Sequence, residues 1–179
     1  GGYGSNGYTI DVLNAVASIK KYPGVNPDKI GMWGHSLGGM ITLKNMVVSK
    51  DVKAGVIWAG VVGSYPDLYE RWRRRNVPST TPSTRGGSWR RALSEQYGTL
   101  DENPDFWSRL SPNSFLSDIS GLVQLHHGTA DAPVPVEFSQ KLEEQMKAAG
   151  KEVELLVYSG DDHNLSASLG LALQRSVVF

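Results

Sequence analysis

No cysteine occurs among the 179 residues, which excludes disulfides, thiolate nucleophiles and Cys-based zinc sites together. It leaves the compartment open, because secreted chains can also lack cysteine. Net charge is missing too. Eighteen Lys and Arg balance eighteen Asp and Glu, so no overall field draws the chain to nucleic acid or to an anionic membrane. No apolar run approaches the roughly 20 residues of a spanning helix, and the chain does not open with a signal peptide. An initiating Met is also absent; residues 1–8 read as the interior of a Gly-rich loop, which points to a piece of something longer. What remains is ordinary globular composition, 40% hydrophobic and 20% charged, enough for one sizeable core in a single domain over residues 1–179.

The most informative stretch is Ile30-Gly31-Met32-Trp33-Gly34-His35-Ser36-Leu37-Gly38-Gly39-Met40-Ile41. It reads as a short apolar strand, a Gly-x-Ser-x-Gly turn and the start of a helix, which is how a serine hydroxyl is held up on a strained corner. Ser36 is the candidate nucleophile. Gly34 and Gly38 are expected to let strand and helix pass closely, with His35 packed or hydrogen-bonded beside the turn. A chance match is the plain alternative in a chain with 20 Gly, so the flanks matter.

Those flanks are regular. Thr9 is expected to cap a helix over 11–21, ended by Pro23-Gly24. Residues 52–62 form an apolar run best read as a buried strand, so strand, helix and strand imply a parallel crossover. From about 64 to 120 the pattern breaks at Pro66, Pro78, Pro82, Pro104 and Pro112. Short helices near 67–75, 88–97 and 104–110 would make a cap-like insertion over one end of the sheet. Its Arg71, Arg73, Arg74, Arg75, Arg85, Arg90 and Arg91 either recognise an acidic substrate or form a solvated, ion-paired face, the commoner case. Its aromatics, Tyr65, Tyr69, Trp72, Trp89, Tyr97, Phe106 and Trp107, either line an acyl pocket or pack small helices together. Regularity then resumes with strands at 122–127 and 153–158 and helices over 136–149 and 165–179.

Three loops, each following an expected strand, thus present Ser36, Asp131 and His163 in that order. Serine needs a base, and an imidazole suits the task because its unperturbed pKa is near neutrality. A carboxylate behind the imidazole fixes its tautomer and steadies the imidazolium that forms. Asp161 and Asp162 also neighbour His163, but loop carboxylates are more often capping or solvated. His126, His127, Asp131, Asp161, Asp162 and His163 could instead gather a metal, although no His-x-x-x-His or comparable spacing appears.

The blocks Asp28–Gly39, His127-Gly128-Thr129-Ala130-Asp131-Ala132-Pro133-Val134-Pro135 and Asp162-His163 together resemble the prolyl oligopeptidase-like branch of the α/β-hydrolases. That resemblance covers nearly the whole chain. It implies a mostly parallel sheet flanked by helices, with Ser36 as nucleophile, His163 as general base then acid, and Asp131 as the orienting carboxylate. It also implies no cofactor and no metal. The leading expectation is a serine hydrolase cleaving carboxylic esters through an acyl-enzyme; a peptidase of prolyl oligopeptidase type is the nearest rival, and a non-catalytic interaction module the rival of another class. Substrates would be small-molecule esters or peptides.

Leu37 N–H supplies one oxyanion donor by the logic of the turn. A second donor belongs to a loop after an earlier strand, and none is encoded before Asp11. Relatives carry those strands upstream, so the strand at residues 29–34 is expected to present an apolar edge that pairs with an N-terminal half of the same hydrolase or with another copy.

Overall fold

In a computed structural model of the chain, residues 5–70, 72 and 88–179 are described. Four strands, β1 (Ile30–His35), β2 (Val52–Trp58), β3 (Leu122–Gly128) and β4 (Val153–Tyr158), pair in chain order, and every pairing is parallel. Each parallel neighbour requires a crossover, and helices supply it. α1 (Gly7–Ile19) precedes the sheet, α2 (Leu37–Val48) joins β1 to β2, and α6 (Glu137–Ala148) joins β3 to β4. Between β2 and β3 lie α3 (Tyr65–Glu70), α4 (Ser88–Tyr97), α5 (Pro104–Leu110) and a 3-10 helix at Pro112–Asp118; α7 (Leu169–Val178) ends the chain.

Alternation along β2 divides the core. Ile57 points into the larger cluster with Leu43 and Met46 of α2 and Leu142 and Met146 of α6. Its neighbours Val56 and Trp58 face the other side, where they meet Tyr158, Leu165 and Ala172 of the β4–α7 segment. The sheet therefore carries helices on both faces, as the sequence implies, and its strands end together at one edge.

Several boundaries differ from expectation for local reasons. Helix α1 begins at Gly7 behind Asn6. Thr9 therefore lies inside its first turn, 7% exposed, and caps nothing. On α1, Val16 is buried and Ile19 half exposed. Strand β2 stops at Trp58, because Ala59 turns out with φ 45° and gives its N–H to the carbonyl of His126. Of the helix expected at 67–75 the described part falls in α3, residues 71 and 73–75 lie outside the described residues, and the other two helices fall at their expected bounds. Arg71, Arg73, Arg74, Arg75 and Arg85 lie outside the described residues. Arg90 donates to the carbonyls of Leu68 and Trp72 and stacks over Trp89, while Arg91 pairs with Glu95 on the exposed side of α4.

The aromatics of this segment pack against one another. Trp107 is fully buried, with Tyr69 edge-on at 5.1 Å, and Tyr97 stacks on Phe106 at 4.3 Å. Two ties fix the segment near the carboxyl edge of the sheet. Trp72 donates its indole N–H to the Pro133 carbonyl at 3.0 Å, and Asp67 pairs with Lys141 of α6. Among the described residues, no helix is long and apolar enough to cross a membrane.

Candidate active site

Ser36 stands between the last residue of β1 and the first of α2, with φ 56° and ψ −115°. A non-glycine residue there is strained, and surrounding bonds must hold it. They do so from both sides. Ser36 N–H donates to Trp58 O at 2.9 Å, while Ser36 O accepts from Gly39 N–H and Val61 N–H. A Cβ at Gly34 would lie 2.3 Å from the Gly38 carbonyl oxygen, so strand and helix meet there. Gly38 corrects the expectation: a Cβ on it meets nothing within 4 Å, because it faces outward on α2. The second tight glycine is Gly39, whose Cβ would sit 2.6 Å from Ile57. Leu37 opens α2, where no preceding turn offers its N–H an acceptor, the disposition an oxyanion donor needs.

His163 reaches Asp131 from the next loop. Its Nδ1 lies 2.7 Å from Asp131 Oδ2, which places the proton on Nδ1 and leaves Nε2 as the basic nitrogen. The His163 side chain is 17% exposed and that of Asp131 is fully buried. His35 joins the first loop to the last: its Nε2–H donates to the His163 carbonyl at 2.9 Å, and the two rings lie 4.6 Å apart. His35 thus hydrogen-bonds beside the turn. Among the described residues no hydrogen bond joins the Ser36 hydroxyl to His163; catalytic contacts are often loose without substrate.

Burial alone would raise the Asp131 pKa, but hydrogen bonds from His127, His163 and the Val134 N–H outweigh it and hold the carboxyl below its usual range. Asp161 and Asp162 have a different task. Asp161 accepts from the N–H groups of Asp162, Ala167 and Ser168, and Asp162 from those of Asn164 and Ser166. Burial raises the Asp161 pKa and these bonds lower it further than burial lifts it. Together the two carboxylates wrap residues 163–168 into a loop, which is why α7 starts at Leu169 and not at 165.

The other histidines are occupied elsewhere. His126 is fully buried between Tyr158 OH at 2.9 Å and Gln124 Oε1 at 2.7 Å, on the α7 side of the sheet. His127 bonds Ser139, Val134 and Asp131. The sequence offered His127 as a possible metal ligand and as part of the block resembling the family, with no bond to Asp131 expected. Among the described residues, no group of three or more His, Asp or Glu side chains is placed to hold a metal ion.

A parallel sheet with helices on both faces, with Ser36, Asp131 and His163 on loops beyond β1, β3 and β4, defines the α/β-hydrolase class. The sequence profile described as the prolyl oligopeptidase family matches residues 2–175, and the chain belongs to that family. Two relatives from Bacillus subtilis (strain 168) are similar to it. The uncharacterized peptidase YuxL is 24% identical over 178 residues, 93% of this chain and 23% of the relative. The uncharacterized peptidase YtmA is 26% identical over 154 residues, 86% of this chain and 54% of the relative. Among solved structures, the uncomplexed acylaminoacyl peptidase of Pyrococcus horikoshii shares the fold with a TM-score of 0.71 and 22% identity, over 93% of this chain and 26% of that one. The chain thus spans between 23% and 54% of the length of these relatives.

Proposed function

We propose that the chain carries the catalytic Ser36, His163 and Asp131 of a serine hydrolase that works through an acyl-enzyme, with peptides as its leading substrates. The 2.7 Å contact between His163 Nδ1 and Asp131, beside a strained Ser36, is the observation that carries this reading. In the first step His163 Nε2 takes the Ser36 proton as Oγ attacks the carbonyl carbon. The resulting oxyanion accepts from Leu37 N–H, and imidazolium His163 then protonates the leaving amine or alcohol. Water, activated by the same imidazole, attacks the acyl-enzyme carbonyl, and collapse of the second tetrahedral intermediate releases the acid and returns the proton to Ser36.

Ester cleavage leads the expectation from sequence. Family membership and the two peptidase-named relatives support moving peptides ahead, since both substrates use the same steps and differ in the leaving group. Comparing p-nitrophenyl esters of increasing acyl length with aminoacyl anilides divides them: higher kcat/KM on anilides supports the peptide reading, and activity confined to esters overturns it. The segment around 64–120 is proposed as a cap-like insertion of one catalytic domain, tied to the Asp131 loop through Trp72. The second oxyanion donor is proposed to come from residues outside this chain.

A further inference from the structure

His127 is the residue of β3 whose side chain has no exposure at all and yet touches the reacting constellation. Its Nε2 lies 3.1 Å from Asp131 Oδ2 and 3.1 Å from the Val134 carbonyl oxygen. Both are acceptors, so the ring proton belongs on Nε2. The other nitrogen, Nδ1, is 2.7 Å from Ser139 Oγ. In the neutral Nε2–H tautomer Nδ1 can only accept, so the Ser139 hydroxyl donates to it, and both groups, 0% and 1% exposed, are satisfied. Asp131 Oδ2 therefore receives two imidazole N–H donors, from His163 at 2.7 Å and from His127, while Oδ1 accepts the Val134 N–H at 2.8 Å.

We propose that His127, locked in one tautomer by Ser139, is a positioning residue that fixes the Asp131 carboxylate and draws part of its charge away from His163. This rests on the hydrolase reading above. A carboxylate shared between two donors holds each proton less tightly than one serving a single donor, so His127 keeps the His163 imidazolium from becoming too stable to give up its proton. Full burial keeps His127 from touching substrate, and both of its ring nitrogens are engaged, which leaves it no direct chemical part.

Two readouts test this on the folded chain, with circular dichroism verifying each variant. Imidazole 15N resonances show directly which His127 nitrogen carries the proton. Protonated Nε2 with bare Nδ1 is expected, and a proton on Nδ1 overturns the proposal whether or not the protein is active. The second readout is the pH dependence of Ser36 labelling by a fluorophosphonate. In His127→Leu the acid limb, which reports His163, is expected to move up by about half a pH unit, a roughly threefold slower reaction on that limb. His127→Gln, whose amide N–H can stand near Nε2, should restore the limb to within about 0.2 units. Ser139→Ala, which unlocks the ring without emptying the site, moves it in the same direction by less and serves if the Leu variant fails to fold. An unmoved limb in both His127→Leu and Ser139→Ala overturns the positioning role. A wild-type chain that takes no label overturns the hydrolase reading instead, and the ring resonances alone then decide whether His127 holds Asp131.

Discussion

Gly34 and Gly38 bracket Ser36 at equal distance, and only Gly34 meets a wall. Its missing Cβ leaves room for the Gly38 carbonyl and for the Thr42 hydroxyl, which itself donates to that carbonyl at 3.0 Å. Gly34→Ala should therefore destabilise the fold by about 1–3 kcal/mol in urea titration, because neither backbone nor α2 can give way. Gly38→Ala, on an open helical position, should be neutral or stabilise by up to about 1 kcal/mol. At the reacting groups, Ser36→Ala should abolish turnover, and Asp131→Asn should lower kcat on the order of 10³–10⁴-fold by presenting the wrong donor to His163. Ser36, Asp131 and His163 were legible in the sequence because each is a chemically distinctive residue just past an apolar strand. The tie from His35 to the His163 carbonyl and the bond from His127 to Asp131 were not legible. They depend on two loops 128 residues apart meeting and on which face of β3 a histidine points, and neither leaves a mark on local pattern.

Helix α7 shows the same division at the level of elements. The sequence reads as a helix over 165–179, but the capping bonds of Asp161 and Asp162 hold residues 163–168 as loop. Beside the apolar contact of Ala172, a partly buried polar network anchors α7. Ser176 accepts from the Trp58 indole and lies 3.3 Å from His126 Nε2, which also faces Gln124, and Gln124 in turn bonds Glu154. Burial pushes the His126 pKa down to about 4, with Glu154 opposing and Arg175 assisting. An unfolded His126 binds its proton near 6.5, so between 6.5 and 4 the unfolded state holds more protons than the folded one. Stability from neutral His126 is thus complete above 6.5 and falls as pH drops toward 4, by on the order of 2–3 kcal/mol. Thermal melts from pH 7 to 4 should show that decline, and His126→Asn should flatten it. Asp131 acts lower: its depressed pKa makes its bonds stabilising above the usual carboxylate range, and that contribution is lost as pH falls further, below about 4.

At the scale of the molecule, β1 is the edge of the sheet: among the described residues it pairs with β2 alone, and Trp33 on it is 56% exposed above Trp58. An apolar edge strand invites another, so we expect β1 to pair with a further strand, from the same hydrolase or from a second copy. Sedimentation of the isolated chain should show association, and a folded, monodisperse monomer counts against that. The order of the four strands and of the longer helices was legible, because apolar runs and period-3.6 patterns are local, whereas the 3-10 helix at Pro112–Asp118 was not expected; the tying of the 64–120 segment to Pro133 and Lys141 was not legible either, because those contacts join segments far apart in sequence. All of this architecture bears on one question, whether Ser36 is a nucleophile served by His163. Incubating the folded chain with a fluorophosphonate and mapping the adduct by mass spectrometry answers it most directly. The account predicts an adduct on Ser36 that disappears in Ser36→Ala and forms at least tenfold more slowly in His163→Ala. A folded chain that carries no adduct on Ser36, or one labelled equally fast without His163, contradicts it.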